Sequence, residues 1–247
     1  DMCRMDWETG LPVQSEKPLN ARNYLNFARK LKKIGLDNGI VCNQSHAPFP
    51  VEVPAIRSSL KLAIECTAEA GGEICVIHPD DNKTAEENAE MYLELLPFAK
   101  SCGVKIATEN MWNWDGSKGE SSFAACATGE DFKKHIDIIH DDFFVACLDL
   151  GHAEMRGSGD GAVNMIRALG HRIQALHIHD NDRWHDYHQI PFSMNIDFGA
   201  IVKALQEIHY EGYFTLEADA FLKDYPTSDV FDGVVKLKES AKKLADM

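Results

Sequence analysis

Residues 175–188 read ALHIHDNDRWHDYH and place four histidines and three aspartates in fourteen positions, directly after a short apolar run. Imidazoles and carboxylates at this density bind divalent cations, exchange protons near neutral pH, or simply decorate a polar loop. Other short apolar runs end in the same residue types: His46 in GIVCNQSHAPF, His78 in GEICVIHPD, Glu109 in GVKIATEN, Asp149 and His152 in FFVACLDLGH, His177 and His179 in IQALHIHDN, and Glu217 in GYFTLEAD. Taken singly, each has an ordinary structural explanation; Asp149, for example, suits a helix N-cap. Taken together they need a common cause. Carboxylates and imidazoles sharing one mouth repel or desolvate one another unless a divalent cation collects them, and mixed oxygen and nitrogen donors suit Mn²⁺, Mg²⁺, Co²⁺ or Zn²⁺.

Such a site needs elements that bring distant residues to one place. The six runs, at 39–49, 72–80, 103–110, 143–152, 173–181 and 212–219, are strand candidates, and apolar residues recur at helical spacing over 21–34, 53–70, 85–101, 129–139, 162–170 and 198–208. Strand alternating with helix implies right-handed crossovers and a parallel sheet. Gly72, Gly103 and Gly212 stand between a helical stretch and the next strand, where a left-handed helix terminator is expected. In a (β/α)8 barrel all strand C-termini open on one rim, which would gather the polar ends. The opening DMCRMDW looks like the end of one more strand, making seven signals where closure needs eight. The expectation is a single TIM-barrel domain over 1–247 lacking its first βα unit. An unpaired strand edge near residues 1–5 would then be open to solvent or covered by a second copy, so a homo-oligomer is among the expectations. The C-terminal VVKLKESAKKLADM reads as an outer helix, and His135, His140, His171 and His209 read as surface residues.

Composition narrows the partners. The 247 residues, 45% hydrophobic, can bury a sizeable core, and the formal net charge of −14 offers no general hold on phosphate backbones or anionic membranes. No nucleic-acid partner is expected. No run approaches the roughly 18 apolar residues of a membrane span. Seven cysteines with no CxxC pair, two of them (Cys75 and Cys147) inside apolar strand-like runs, suit free thiols in a reducing, cytoplasmic compartment.

The order ATEN, LDLGH, LHIHDN and TLEAD resembles the xylose isomerase-like barrels, which include sugar isomerases, ketose 3-epimerases and inosose dehydratases, over about residues 39–219. The resemblance implies one divalent metal on Glu109, Asp149, His177 and Glu217, and a sugar, sugar phosphate or polyol substrate. Glu109 and Glu217 would also be the catalytic acid and base, exchanging a proton beside a polarised carbonyl. It further implies substrate contacts at His152, three residues after Asp149, and at Arg183, six after His177. Where the family pattern has a glutamate six residues after Glu109 this chain has Asp115, which leaves the identity of the sugar open. His46, His78, His179 and His188 are further candidates for substrate contact, and Trp112 and Trp114 either wall a sugar's apolar face or cover the core. Abasic-site endonucleases of the endonuclease-four class share this barrel and hold three metals, so His46, His78, Asp186 and His188 have a second reading as ligands of a phosphodiesterase. Against it, RWHDYH offers only Arg183 as a cation, QIPFSM departs from that class's glycine-rich stretch, and IHPDDN adds acid where DNA would lie. A dehydratase is the third reading.

Overall fold

A computed structural model describes residues 3–6, 8–14, 22–223 and 225–247. None of the helices among them is long and apolar enough to cross a membrane. The chain forms two compact units, one of Asp1–Glu109 with His135–Val145 and one of Asn110–Lys134 with Ala146–Met247.

The first unit opens with β1 (Cys3–Asp6) and β2 (Leu11–Gln14), paired antiparallel. This corrects the expectation of a parallel strand end at DMCRMDW. Asp6 closes the hairpin, its carboxylate accepting from the Glu8 and Thr9 amides while Gly10, at φ 66°, donates to the Asp6 carbonyl. Among the described residues 3–6, one edge of β1 is taken by β2 within this two-stranded sheet. Next come α1 (Tyr24–Asp37), β3 (Gln44–His46), α2 (Pro54–Arg57), α3 (Leu60–Ala70), β4 (Ile74–Val76), α4 (Ala85–Cys102) and β5 (Lys105–Glu109). The single helix expected over 53–70 is broken because Ser58 and Ser59 both donate their hydroxyls to the Ala55 carbonyl, offering the backbone an alternative to helix.

The strands β3, β4 and β5 run parallel in that order, with His46 beside Val76 and Val76 beside Ala107. The Ile106 amide donates to the Phe143 carbonyl and brings the next strand alongside β5. Helix α4 is bounded by a capping box, Thr84 with Glu87, and by Gly103 at φ 68°. Its Ala85, Ala89, Tyr92, Leu96 and Ala99 recur at helical spacing and are buried. Burial of a side chain the size of Leu96 contributes about 2 kcal/mol. The Tyr92 hydroxyl donates to the Ile77 carbonyl and pairs with the Thr108 hydroxyl, fixing the ends of β4 and β5 against the helix.

The second unit begins with the hairpin β6 (Asn113–Asp115) and β7 (Glu120–Ser122), absent from the expected elements although DGSKGE is a turn signal. Then follow α5 (Gly129–Asp137), β8 (Phe144–Asp149), α6 (Leu150–Glu154), α7 (Ala162–Leu169), β9 (Ile173–His177), α8 (Phe198–Glu207), α9 (Asp219–Lys223) and α10 (Val230–Ala245). Every residue of β8 is buried, as a parallel strand covered on both faces requires. It pairs with β9 so that Asp149 and His177 stand side by side. The strand expected over 212–219 is reduced to a parallel bridge between Ile178 and Leu216. Tyr213 is 60% exposed, so burial adds little to a longer ladder there. His140, His171 and His209 are exposed as expected, but His135 is buried on α5, its Nε2 lying 3.4 Å from the Asn88 amide nitrogen.

Candidate metal and acid–base site

In the first unit, parallel register brings three polar strand ends together. His46 ends β3, His78 lies two residues past β4, and Glu109 ends β5. His46 Nε2 lies 2.9 Å from His78 Nε2, and Glu109 Oε2 lies 3.5 and 3.3 Å from these two nitrogens. His46 Nδ1 donates to the Ala47 carbonyl at 2.7 Å, so a neutral His46 ring turns its Nε2 lone pair toward the group. Phe49 stacks on His78 at 4.6 Å and supplies an apolar wall. Glu109 is only 1% exposed, and a buried carboxylate facing two imidazoles is suited to holding a proton or a cation.

The second unit aligns three more. Asp149 ends β8, His177 ends β9 in register with it, and the Glu217 amide donates to the Ile178 carbonyl, which sets Glu217 beside His177. His177 Nδ1 lies 3.0 Å from Glu217 Oε2. Asp149 Oδ1 accepts from the His152 amide at 2.7 Å, capping α6, and lies 3.1 Å from His179 Nε2. Asn110, buried, holds Asp149 by both backbone groups: Asp149 N–H donates to Asn110 Oδ1 at 2.8 Å, and Asn110 Nδ2 donates to the Asp149 carbonyl at 2.9 Å.

Around Asp186 a second group forms within the same unit. Ligand atoms of His152, His179, Asp186 and His188 all lie within 4.8 Å of one another. Asp186 Oδ2 is 3.2 Å from His152 Nε2 and 3.0 Å from His188 Nε2, while Oδ1 is buried with no hydrogen-bond partner, 3.4 Å from His179 Nε2. Burial pushes the Asp186 carboxyl up, but the His152, His188 and His179 imidazoles outweigh it and hold the group well below the usual carboxylate range. Burial likewise works to lower His188, yet its bond to Asp186 prevails and raises the imidazole to about 9. His188 Nδ1 donates to the Glu217 carbonyl at 2.7 Å, tying this loop to the end of the Glu217 segment. His179 is clamped between His188, stacked at 4.1 Å, and Gly151, where any Cβ would run into the imidazole ring. That contact explains the glycine in LDLGH. An aspartate oxygen left unpartnered among three imidazoles is the donor chemistry a divalent cation satisfies.

Two expected substrate contacts are engaged by partners within the chain. Arg183 pairs with Glu154 at 3.2 Å. Asp115 is spent in its own hairpin turn, accepting from the Ser117 hydroxyl and amide and pairing with Lys118, and those bonds keep its pKa low. Trp112 lies beside the second group, its ring centroid 6.4 Å from that of His152. Sequence reasoning missed Asn110, although it follows Glu109 directly in ATEN. Asp180, wholly buried, accepts from the Met194 and Ile196 amides and so shapes the loop after His188.

Residues 4–242 match the family described as the xylose isomerase-like TIM barrel. The chain belongs to that family. Its (β/α)8 barrel fold agrees with the parallel strands and alternating helices of both units. Over 190 residues the chain is 29% identical to the uncharacterized protein MJ1311 of Methanocaldococcus jannaschii, covering 70% of this chain and 62% of that one, so it spans less than two thirds of that relative. Among solved structures, a D-tagatose 3-epimerase-like protein superposes with a TM-score of 0.68 at 22% identity, covering 94% of this chain and 87% of that one. The IOLI protein with a bound zinc atom gives 0.69 at 18% identity, covering 90% and 83%.

Proposed function

We propose that this barrel protein is a divalent-metal-dependent sugar isomerase or epimerase that moves a proton next to a carbonyl. The observation that carries the reading is the row of Asp149 and His177, which end β8 and β9, and Glu217, next to the Ile178–Leu216 bridge, with His177 Nδ1 and Glu217 Oε2 3.0 Å apart. Two carboxylates and an imidazole fit a Mn²⁺, Mg²⁺, Co²⁺ or Zn²⁺ ion, and Glu109 is the fourth ligand by its place in ATEN. When bound, the cation supplies polarisation of a substrate carbonyl. Glu217, its side chain 31% exposed, takes a proton from the neighbouring carbon. Glu109, buried beside His46 and His78, is the second carboxylate of the exchange. His152 and His188, fixed by Asp186, orient substrate hydroxyls. The two solved neighbours, a D-tagatose 3-epimerase-like protein and the zinc-bound IOLI protein, support the reading. The test is exchange of a ketose carbon-bound proton with deuterated water, lost in both Glu109→Gln and Glu217→Gln.

A second reading, phosphodiester hydrolysis, is favoured by one observation: His46, His78 and Glu109 converge by themselves, as do His152, Asp186 and His188. Such groups suit more than one cation. Metal analysis separates the readings. One ion per chain with deuterium exchange supports the isomerase; two or three, with cleavage of an abasic-site duplex lost in His188→Ala, supports the phosphodiesterase.

A further inference from the structure

The loop that buries Asp186 exposes the residues on either side of it. His185 and Tyr187 face outward, and with Trp114 from β6 they form a ladder. Trp114 and His185 stack at 6.0 Å with an interplanar angle of 29°, and His185 and Tyr187 follow at 5.3 Å and 36°. Trp114 is 48% exposed and Tyr187 43%. Large rings left this open normally bury themselves against something. The ladder is also held in place rather than loose: Asp182 accepts from the amides of Trp184 and His185 at 2.8 and 2.7 Å and binds His185 Nδ1 at 2.9 Å. Asp186, between two of the outward residues, reaches in to His152 and His188, so the ladder borders the donor group directly.

We infer that the ladder of Trp114, His185 and Tyr187 is a subsite for a second, uncharged sugar ring, so that the substrate is a glycoside or disaccharide and not a free monosaccharide. The inference rests on the sugar reading of the inner site and extends it. A pyranose presents an apolar C–H face to an aromatic ring and hydroxyls at its edge. Each ladder step is about the size of one such ring, and the Asp182 carboxylate, bound to His185, lies beside it as an acceptor for edge hydroxyls. Nucleobases stack on aromatic ladders too, but a strand also needs free cations along its phosphates. The cations on this face are committed: Lys118 pairs with Asp115, Arg183 with Glu154, and Arg156 lies 4.7 Å over the Trp184 ring. Charge therefore selects a neutral ligand.

The test is calorimetric binding to the metal-loaded full chain of gluco-, galacto- and manno-configured disaccharides in both anomeric linkages, each beside its monosaccharide and beside a short single-stranded DNA. At least one disaccharide should bind roughly tenfold more tightly than its monosaccharide, and Trp114→Ala or Tyr187→Ala should erase that preference with metal content unchanged. Equal affinity for mono- and disaccharides across the panel, a preference that survives both substitutions, or tighter binding of the DNA overturns the subsite. Deuterium exchange, run on the ketose and on the tightest-binding disaccharide, reads the inner site separately. Disaccharide preference without exchange would defeat the isomerase reading and leave the ladder standing, while exchange without preference would do the reverse.

Discussion

Asp186→Asn keeps the size of the side chain and removes its charge, so it isolates what Asp186 does for His188. With His188 raised from 6.5 to about 9, the protonated imidazole is favoured in the folded protein by about 3 kcal/mol. Because that folded pKa lies above the unfolded one, the stabilisation is fully present below about pH 6.5 and is lost as pH rises toward 9. Asp186 has the opposite sign: its folded pKa is depressed, so its contribution holds above about pH 4 and disappears as pH falls. The assay is urea unfolding of chelator-treated protein at intervals from pH 3 to 10. The wild-type advantage over Asp186→Asn should plateau between about pH 4 and 6.5 and shrink by about 3 kcal/mol up to pH 9. Taking the difference cancels other titrations, including the buried Cys75 thiol, pushed up to about 11 by burial. A difference that stays level from pH 6.5 to 9 would show that Asp186 does not hold the His188 proton, and the geometry argued around that pair would be wrong.

Asn110→Ala strips two backbone partners from buried Asp149 and should cost about 2–4 kcal/mol, read by denaturation midpoint; an unchanged midpoint removes Asn110 as the anchor. Gly151→Ala drives a methyl into the His179 ring and should destabilise by about 1–3 kcal/mol, with most of that recovered when His179→Ala is added; strict additivity would contradict the contact. Asp149→Ala should abolish tight metal uptake and also lower stability by about 1 kcal/mol through loss of the α6 cap, whereas full metal content by atomic emission would exclude Asp149 as a ligand.

The strand ends were legible because buried parallel strands read as continuous apolar runs, and FFVACLD and IQALH are of that kind. Helices were legible from their apolar spacing wherever no side chain competed with the backbone; Ser58 and Ser59 did compete, and the helix broke there. The weak point was residues 212–219, where alternating apolar residues suggested a strand but Tyr213 lacks the cover that would stabilise one. Of the site, residue types and strand-end positions indicated which groups converge. They did not indicate direction. Nothing in the sequence tells that Arg183 turns back to Glu154, that Asp115 is consumed by its own turn, or that the aromatic neighbours of Asp186 face outward, because each depends on a backbone turn one or two residues long.

His179 shows why the two donor groups of the second unit are best treated as one system. Its Nε2 is hydrogen-bonded to Asp149 Oδ1 at 3.1 Å and lies 3.4 Å from Asp186 Oδ1, which it meets through charge and not through a hydrogen bond, so one imidazole stands between a carboxylate of each group. The ring cannot swing away to serve one alone, being held by Gly151 on one side and by His188 on the other. Removing the charge of either carboxylate therefore changes the field that the other meets at the same fixed ring. Mutations at either carboxylate should accordingly couple through His179, and a double-mutant cycle of Asp149→Asn with Asp186→Asn should depart from additivity in wild type and approach it in His179→Phe. Additive behaviour in the presence of His179 would mean that the two groups bind and titrate independently.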